Sequence, residues 1–209
     1  IASLTIHVLD GIDVLDVVPA TASYCEGDGG ITVSVTNPQG GVTYRLIHQA
    51  TGAVVGADVE FNGGEGISWN NIGIKSGYNP SVYIVEAYYA LLPAEVIQMA
   101  NSVTITENAL PLVYKLSPYN AEFNGCASVD DLKLENSELN VTYSLILNGN
   151  PLGVSLQGTG SELNFGKQYI VGRYTIEARN DKSGCSRAMD GYYQIYGETV
   201  QTFNLVADP

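Results

Sequence analysis

Three cysteines, two histidines and 22 acidic residues are the side chains of this 209-residue sequence that could do chemistry. A cysteine nucleophile needs a base within hydrogen-bond reach, and zinc or redox work needs closely spaced thiols. Cys25, Cys126 and Cys185 have no C-x-x-C spacing, and nothing in the sequence places His7 or His48 beside any of them. A Ser-His-Asp triad lacks its Gly-x-Ser-x-Gly elbow, so both histidines read as structural or surface residues. A glycosidase needs only two carboxylates, and Glu86 and Glu177 are the best pair. Each lies beside an apolar residue in an alternating run, so each should face solvent. No catalytic residue, no enzyme and no cofactor is expected.

Acids bunch at three places: Asp10, Asp13 and Asp16, then Glu107, then Glu198 and Asp208. Calcium takes six to eight oxygens, yet no Asp-x-Asp-x-Asp-Gly loop occurs. A solvated acidic face is the reading, with calcium at the junctions as the alternative. Tyr88-Tyr89 and Tyr192-Tyr193 with Tyr196 could stack against sugars, although strand aromatics usually serve as core or cross-strand partners.

The elements that must position these residues recur. Val42-Thr43-Tyr44-Arg45-Leu46-Ile47 returns as Val141-Thr142-Tyr143-Ser144-Leu145-Ile146, an offset of 141 − 42 = 99. Tyr83-Ile84-Val85-Glu86-Ala87 returns as Tyr174-Thr175-Ile176-Glu177-Ala178, an offset of 174 − 83 = 91. Two copies of one unit follow, with eight residues lost in the second, and Gly73 to Pro80 is the expected place of the loss. A strand-like segment followed by a proline occurs three times, at Ile6 and Pro19, Ile105 and Pro118, and Ile195 and Pro209. The expected division is therefore residues 1–11 as the end of a preceding repeat, 12–107 and 108–198 as two full repeats, and 199–209 as the start of a following one.

Within each unit the period is two, as in Ile31-Thr32-Val33-Ser34-Val35, and turn signals such as Asn62-Gly63-Gly64 and Asn148-Gly149 separate the runs. Roughly seven short strands per 90 to 100 residues is the pattern of an immunoglobulin-like sandwich. Ala94 to Met99 has fair helix propensity, but its repeat partner, Ser186 to Ile195, reads as strand, so strand is expected there too. The expected fold is all-β: two tandem immunoglobulin-like β-sandwiches set end to end, with partial strands of neighbouring repeats at the termini. Leu110 and Leu112 in the link should bury against the adjoining sandwiches. Cys126 and Cys185 fall in one unit, and a bond between them would close 185 − 126 = 59 residues, worth roughly 4 kcal/mol in the loop-entropy model. The repeat gives Cys25 no matching partner, so a Cys126–Cys185 disulfide and a free thiol at Cys25 are expected.

Composition limits the rest. A net charge of −13, with only nine Lys and Arg, repels nucleic acid and anionic lipid surfaces. No run reaches the roughly 18 apolar residues of a membrane helix, so no direct membrane insertion is expected. Low Lys with many Gly, Asn, Thr and Tyr suits an exported protein.

The second unit carries a string that resembles the repeated modules of very large Bacteroidetes cell-surface proteins, including the SprB-type gliding-motility adhesins. Its residues are Tyr143-Ser144-Leu145, Asn148-Gly149, Gly158-Thr159-Gly160, Leu163-Asn164-Phe165-Gly166, Gly172-Arg173-Tyr174-Thr175-Ile176, Gly184-Cys185 and Met189-Asp190-Gly191. Tyr24-Cys25-Glu26-Gly27-Asp28-Gly29-Gly30-Ile31 is similar to the start of related modules, whereas the first unit lacks the Gly-Cys and Gly-Thr-Gly elements. The resemblance implies export by type IX secretion and display at the outer membrane. It implies a structural and adhesive segment that acts as a stiff spacer in surface attachment or gliding. Its partners would be neighbouring repeats and, at the substratum, surface polysaccharide. The Asn140-Val141-Thr142 sequon carries no meaning in that setting. The alternative function is a carbohydrate-binding module of a secreted polysaccharide-degrading protein.

Overall fold

A computed structural model describes residues 10–124 and 130–197. The chain divides into two compact units, Ile1–Asn108 and Ala109–Pro209. The expected partial strands at 1–11 and 199–209 lie almost wholly outside the described residues, as do His7, Cys126, Glu198 and Asp208.

Unit 1 contains β1 (Val17–Val18), β2 (Thr21–Cys25), β3 (Ile31–Thr36), β4 (Thr43–His48), β5 (Ala53–Val54), β6 (Val59–Glu60), β7 (Gly66–Ile72), β8 (Ser81–Tyr88), β9 (Ile97–Gln98) and β10 (Val103–Asn108). One sheet has the order β1-β3-β7; the other runs β2-β10-β8-β4-β5, with β6 beside β4 and β9 beside β8. Alternation does the sorting, because successive side chains on a strand point to opposite faces. Val33 and Val35, Tyr83, Val85 and Ala87, and Val103 and Ile105 all turn inward, closing a core around Tyr44, Leu46 and Trp69. Buried Trp69 still finds a partner for its indole N–H, the carbonyl of Ala57 at 3.0 Å.

Unit 2 repeats the plan with β11 (Leu116–Ser117), β12 (Ala121–Asn124), β13 (Asp131–Leu134), β14 (Val141–Leu147), β15 (Asn150–Gln157), β16 (Leu163–Lys167), β17 (Gly172–Asn180), β18 (Ser186–Ala188) and β19 (Tyr193–Tyr196). Its sheets run β11-β13-β16 and β12-β19-β17-β14-β15, with β18 on β17. A separate core forms around Leu132, Leu134, Tyr143, Leu145, Tyr174, Ile176 and Tyr193. Each unit is thus an immunoglobulin-like sandwich, and no helix occurs among the described residues.

In both units the first strand changes sheets at the proline that marked the repeat. β1 pairs antiparallel with β3; after the cis Val18–Pro19 bond, β2 pairs parallel with β10, Thr21 opposite Thr104 through Cys25 opposite Asn108. In unit 2 the cis Ser117–Pro118 bond separates β11 on β13 from β12 on β19, Ala121 opposite Tyr193 through Asn124 opposite Tyr196. Proline has no N–H for a ladder, so it fits the gap between two sheets.

The registers relocate the lost residues. The offset is 99 at Leu46 and Leu145, 96 at Ile67 and Leu163, and 91 at Val85 and Ile176. Three residues are therefore lost between the β4-type and β7-type strands, and only five in the loop that contains Gly73 to Pro80. Two further expectations change. Ala94 to Met99 yields only the two-residue β9, which lies against Glu86 and Ala87. Leu112 is 58 % exposed rather than buried; its N–H donates to Glu138 Oε2 at 2.6 Å while its side chain faces solvent.

Candidate functional site

Each of the two large sheets carries a cluster in which an arginine lies over a tyrosine ring and the phenol donates to a carboxylate. On unit 1, Arg45 from β4 forms two-pronged bonds with Asp58, at 2.7 and 3.1 Å. Its guanidinium carbon sits 4.9 Å from the ring centre of Tyr88 on neighbouring β8. Tyr88 donates to Asp58 Oδ2 at 2.6 Å and accepts from Arg45 at 3.2 Å. The Arg45 hydrogen bonds, helped by the Tyr88 hydroxyl, hold the Asp58 carboxyl below its ordinary value despite opposing desolvation. The bond to Asp58, with burial, pushes the Tyr88 phenol up. On unit 2, Arg173 from β17 lies 4.2 Å over Tyr192, whose hydroxyl donates to Glu122 Oε1 at 3.2 Å. Close by, Lys115 Nζ lies 5.2 Å over Tyr119, which donates to Asp190 at 3.3 Å.

These clusters satisfy themselves. Arg45 holds the Asp58 carboxyl low, and the carboxylate partners of Tyr88 and Tyr192 push those phenols up, so the phenols are harder to ionise. A cation lies over one face of each of the Tyr88, Tyr119 and Tyr192 rings. Sequence reasoning named Tyr88 and Tyr192 but missed their arginines. Arg45 sits within the repeated segment, yet its counterpart Ser144 in unit 2 hides the pattern.

The remaining candidates are scattered. Tyr193 is fully buried, with its hydroxyl 3.2 Å from the Asp130 carbonyl, and burial pushes its phenol up to about 12. Tyr89 is half-buried and donates to the Asp10 carbonyl at 3.0 Å; Tyr196 is 43 % exposed at the end of β19. Glu86 and Glu177 belong to different units and project at the surface, Glu86 half-exposed opposite Arg45 and Glu177 exposed opposite Ser144. His48 is a core residue, 0 % exposed, with Nδ1 2.8 Å from Thr51 Oγ1 and its ring edge-on to Tyr78 and Tyr83. Asp10, Asp13 and Asp16 are exposed, and no group of three or more metal-ligating side chains occurs among the described residues. A hollow of about 370 Å³ lined by Asp10, Gly40, Gly41, Glu60, Tyr89 and Leu91 is open, and among the described residues Asp10 and Glu60 are its carboxylates.

The cysteines need a correction. Cys25 and Cys185 are both disulfide-bonded, so Cys25 is not the free thiol expected from the repeat. That expectation sought each partner at an equivalent place in the same unit. A disulfide requires two Cα atoms within about 7 Å and Cβ atoms directed at each other, a tertiary condition that repeat alignment does not encode. The expected pairing of Cys126 with Cys185 lies outside the described residues through Cys126.

Four tyrosines do a job that sequence reasoning did not foresee. Tyr44 accepts the Gln39 N–H at 2.9 Å, and its counterpart Tyr143 accepts the Glu138 N–H at 2.9 Å. Tyr83 donates to the Gly73 carbonyl at 2.6 Å, and its counterpart Tyr174 donates to the Ile170 carbonyl at 2.8 Å. Each ring lies in a core and each hydroxyl ties down the backbone of a loop. The signal was present: tyrosine, rather than a wholly apolar residue, recurs at both inward positions.

No family model matches the chain, and no curated protein matches it. Solved structures of similar shape include the fibronectin(III)-like modules of Clostridium thermocellum CbhA, at 11 % identity and a TM-score of 0.39, covering 91 % of this chain and 100 % of that one. The z1z2 domains of titin in complex with telethonin give 13 % identity and a TM-score of 0.34, again covering 91 % and 100 %. Likeness at this level carries no argument, and the sandwich assignment rests on strand order and register.

Proposed function

We propose that this chain is a structural and adhesive segment of a long cell-surface filament, exported and displayed at the outer membrane, where it serves as a load-bearing spacer in attachment or gliding. The observation that carries the proposal is the parallel pairing of the first and last large-sheet strands in each unit, β2 on β10 and β12 on β19. In a parallel pair, the start of one strand and the end of the other lie at opposite ends of the ladder. Tension applied through the chain then loads the inter-strand hydrogen bonds together, in shear, instead of opening them one by one.

The resemblance to Bacteroidetes surface repeats and the acidic, lysine-poor composition support the same reading. So does the division of labour between interior and surface: the tyrosine anchors recur at repeat positions while the Arg–Tyr clusters do not. In this proposal the partners are neighbouring repeats, with surface polysaccharide as a candidate substratum. The carbohydrate-binding alternative draws less support, because a flat exposed aromatic row is what it needs, and Tyr88 and Tyr193 are buried while Arg173 covers Tyr192.

Single-molecule pulling from the two termini tests the proposal. Two high-force unfolding events per chain are expected. Extension at the low forces of strand-by-strand unzipping would overturn it. The stiff, end-to-end spacing expected from the sequence is part of the proposal, and small-angle scattering in solution tests it: a broad distribution of sizes would remove stiffness from the reading.

A further inference from the structure

We propose that Asn62 is a site of spontaneous deamidation and that the fold confines this modification to one of the two Asn-Gly steps whose residues are all described. The chain has three such steps, Asn62–Gly63, Asn124–Gly125 and Asn148–Gly149; Gly125 lies outside the described residues. The reaction needs the backbone nitrogen of the following residue to reach the side-chain carbonyl carbon, and glycine, lacking Cβ, hinders that approach least. The Gly63 nitrogen attacks Asn62 Cγ and forms a C–N bond. The Cγ–Nδ2 bond breaks, and ammonia leaves with the proton from Gly63. Water then opens the cyclic imide at either carbonyl, giving aspartate or isoaspartate.

The surroundings of Asn62 permit this. The ladder of β6 ends at Phe61, whose N–H donates to the Val42 carbonyl at 3.0 Å and whose carbonyl accepts from Gly41 at 2.8 Å. Beyond it, Asn62 through Gly66 are all exposed. The Asn62 side chain makes no hydrogen bond to any described residue, and a Cβ at Gly63 or Gly64 would meet nothing within 4 Å. The side chain and the attacking nitrogen are free to sample the reactive geometry.

Asn148 is held in the opposite way. Its Oδ1 accepts the Arg173 N–H at 2.8 Å, and its own N–H donates to the Arg173 carbonyl at 2.9 Å. The Asn148 amide also fills the space over Gly172, where a Cβ would lie 2.6 Å from Nδ2. Swinging this side chain toward the Gly149 nitrogen breaks the Arg173 bond first. In unit 2 the loop corresponding to that of Asn62 is Gly158-Thr159-Gly160-Ser161-Glu162, with no asparagine. The modification would add a carboxylate between Glu60 and Glu65, on a unit whose only cations are Arg45 and Lys75.

The test is peptide mapping by mass spectrometry after timed incubation of the folded chain in mildly alkaline buffer. Asn62 should convert to aspartate and isoaspartate about tenfold faster than Asn148, the ratio that about 1.4 kcal/mol of barrier difference sets. In strong denaturant the two rates should converge, because both steps are then plain Asn-Gly. The substitution Asn62→Gln should abolish the fast phase without altering the folded spectrum. Equal rates in the folded chain, a faster Asn148, or a difference that survives denaturation would each overturn the proposal.

Discussion

The phenol of Tyr174 holds both backbone polar groups of Ile170, accepting its N–H at 3.0 Å and donating to its carbonyl at 2.8 Å. The ring is fully buried beneath the turn, edge-on to Tyr193 with ring centres 6.1 Å apart. Together with the Gln168 amide, which donates to the Phe165 carbonyl at 2.9 Å, this contact ties down a four-residue connection whose outer side chains, Tyr169, Ile170 and Val171, are all more than half exposed. Removing only the hydroxyl, as Tyr174→Phe, should cost unit 2 about 1–3 kcal/mol and leave unit 1 unchanged. Chemical denaturation followed by a probe in each unit measures it. A cost shared equally by both units would show that the anchor is not local.

Load-bearing by the parallel ladder has a direct mutational test. The Thr104 N–H donates to the Ala20 carbonyl and the Asn108 carbonyl accepts from Glu26 N–H, both at 2.9 Å. By alternation Thr106 faces β2 as well. Thr106→Pro deletes that donor, so pulling experiments should show a lower force for one of the two unfolding events and no change in the other. An unchanged pair of forces would mean that the β2–β10 ladder does not resist extension.

Gly158 marks the closest approach of a loop to its neighbour. Its N–H donates to the Val141 carbonyl at 2.8 Å, and a Cβ there would overlap the Glu138 carbonyl oxygen and lie 3.1 Å from the Tyr143 ring. Gly158→Ala should therefore destabilise unit 2 by about 1–3 kcal/mol, the usual cost of overpacking. Gly40→Ala, where a Cβ meets open space, should stay within about 0.5 kcal/mol. Thermal melts of the two variants make the comparison, and equal costs would contradict it.

Unit 2 should lose stability at high pH. Burial pushes the Tyr193 phenol up to about 12, and the Tyr143 and Tyr174 phenols are raised, also chiefly by burial. A group whose folded value lies above its unfolded value, about 10 for tyrosine, contributes stability that is complete below the unfolded value. That contribution disappears as the pH climbs through the folded one. Melting temperatures measured from pH 9 upward should fall, and tyrosinate absorbance of the buried rings should appear together with unfolding. Smooth ionisation of every tyrosine in a chain that stays folded would disprove the burial argument.

Asp58 gives the acid-side counterpart. Its carboxyl is held low by Arg45, so its contribution is present above the unfolded value, near 4, and is lost as the pH falls through the lower folded one. Asp58→Asn should remove that part of the acid sensitivity of unit 1 in a melt series. An unaltered acid profile would show that the cluster is energetically neutral, as exposed pairs often are.

The sequence alone determined the class and the plan. Period-two runs such as Ile31 to Val35 can bury one face only as strands, and two echoes in the same order point to two copies of one unit. Val33, Val35, Val85 and Ile176 went to the core because alternation leaves them no other face, and Glu86 and Glu177 went outward for the same reason. The sheet change at Pro19 and Pro118, the arginines over Tyr88 and Tyr192, and the bonded state of Cys25 were decided by the tertiary structure. Each depends on residues far apart in sequence, such as Arg45 with Asp58 and Tyr88, or Arg173 with Glu122 and Tyr192. Local propensity ranks the partners that a strand or a side chain could take. Which of them it takes follows from the single packing that closes both sheets over one core, and that choice is made by the whole unit at once.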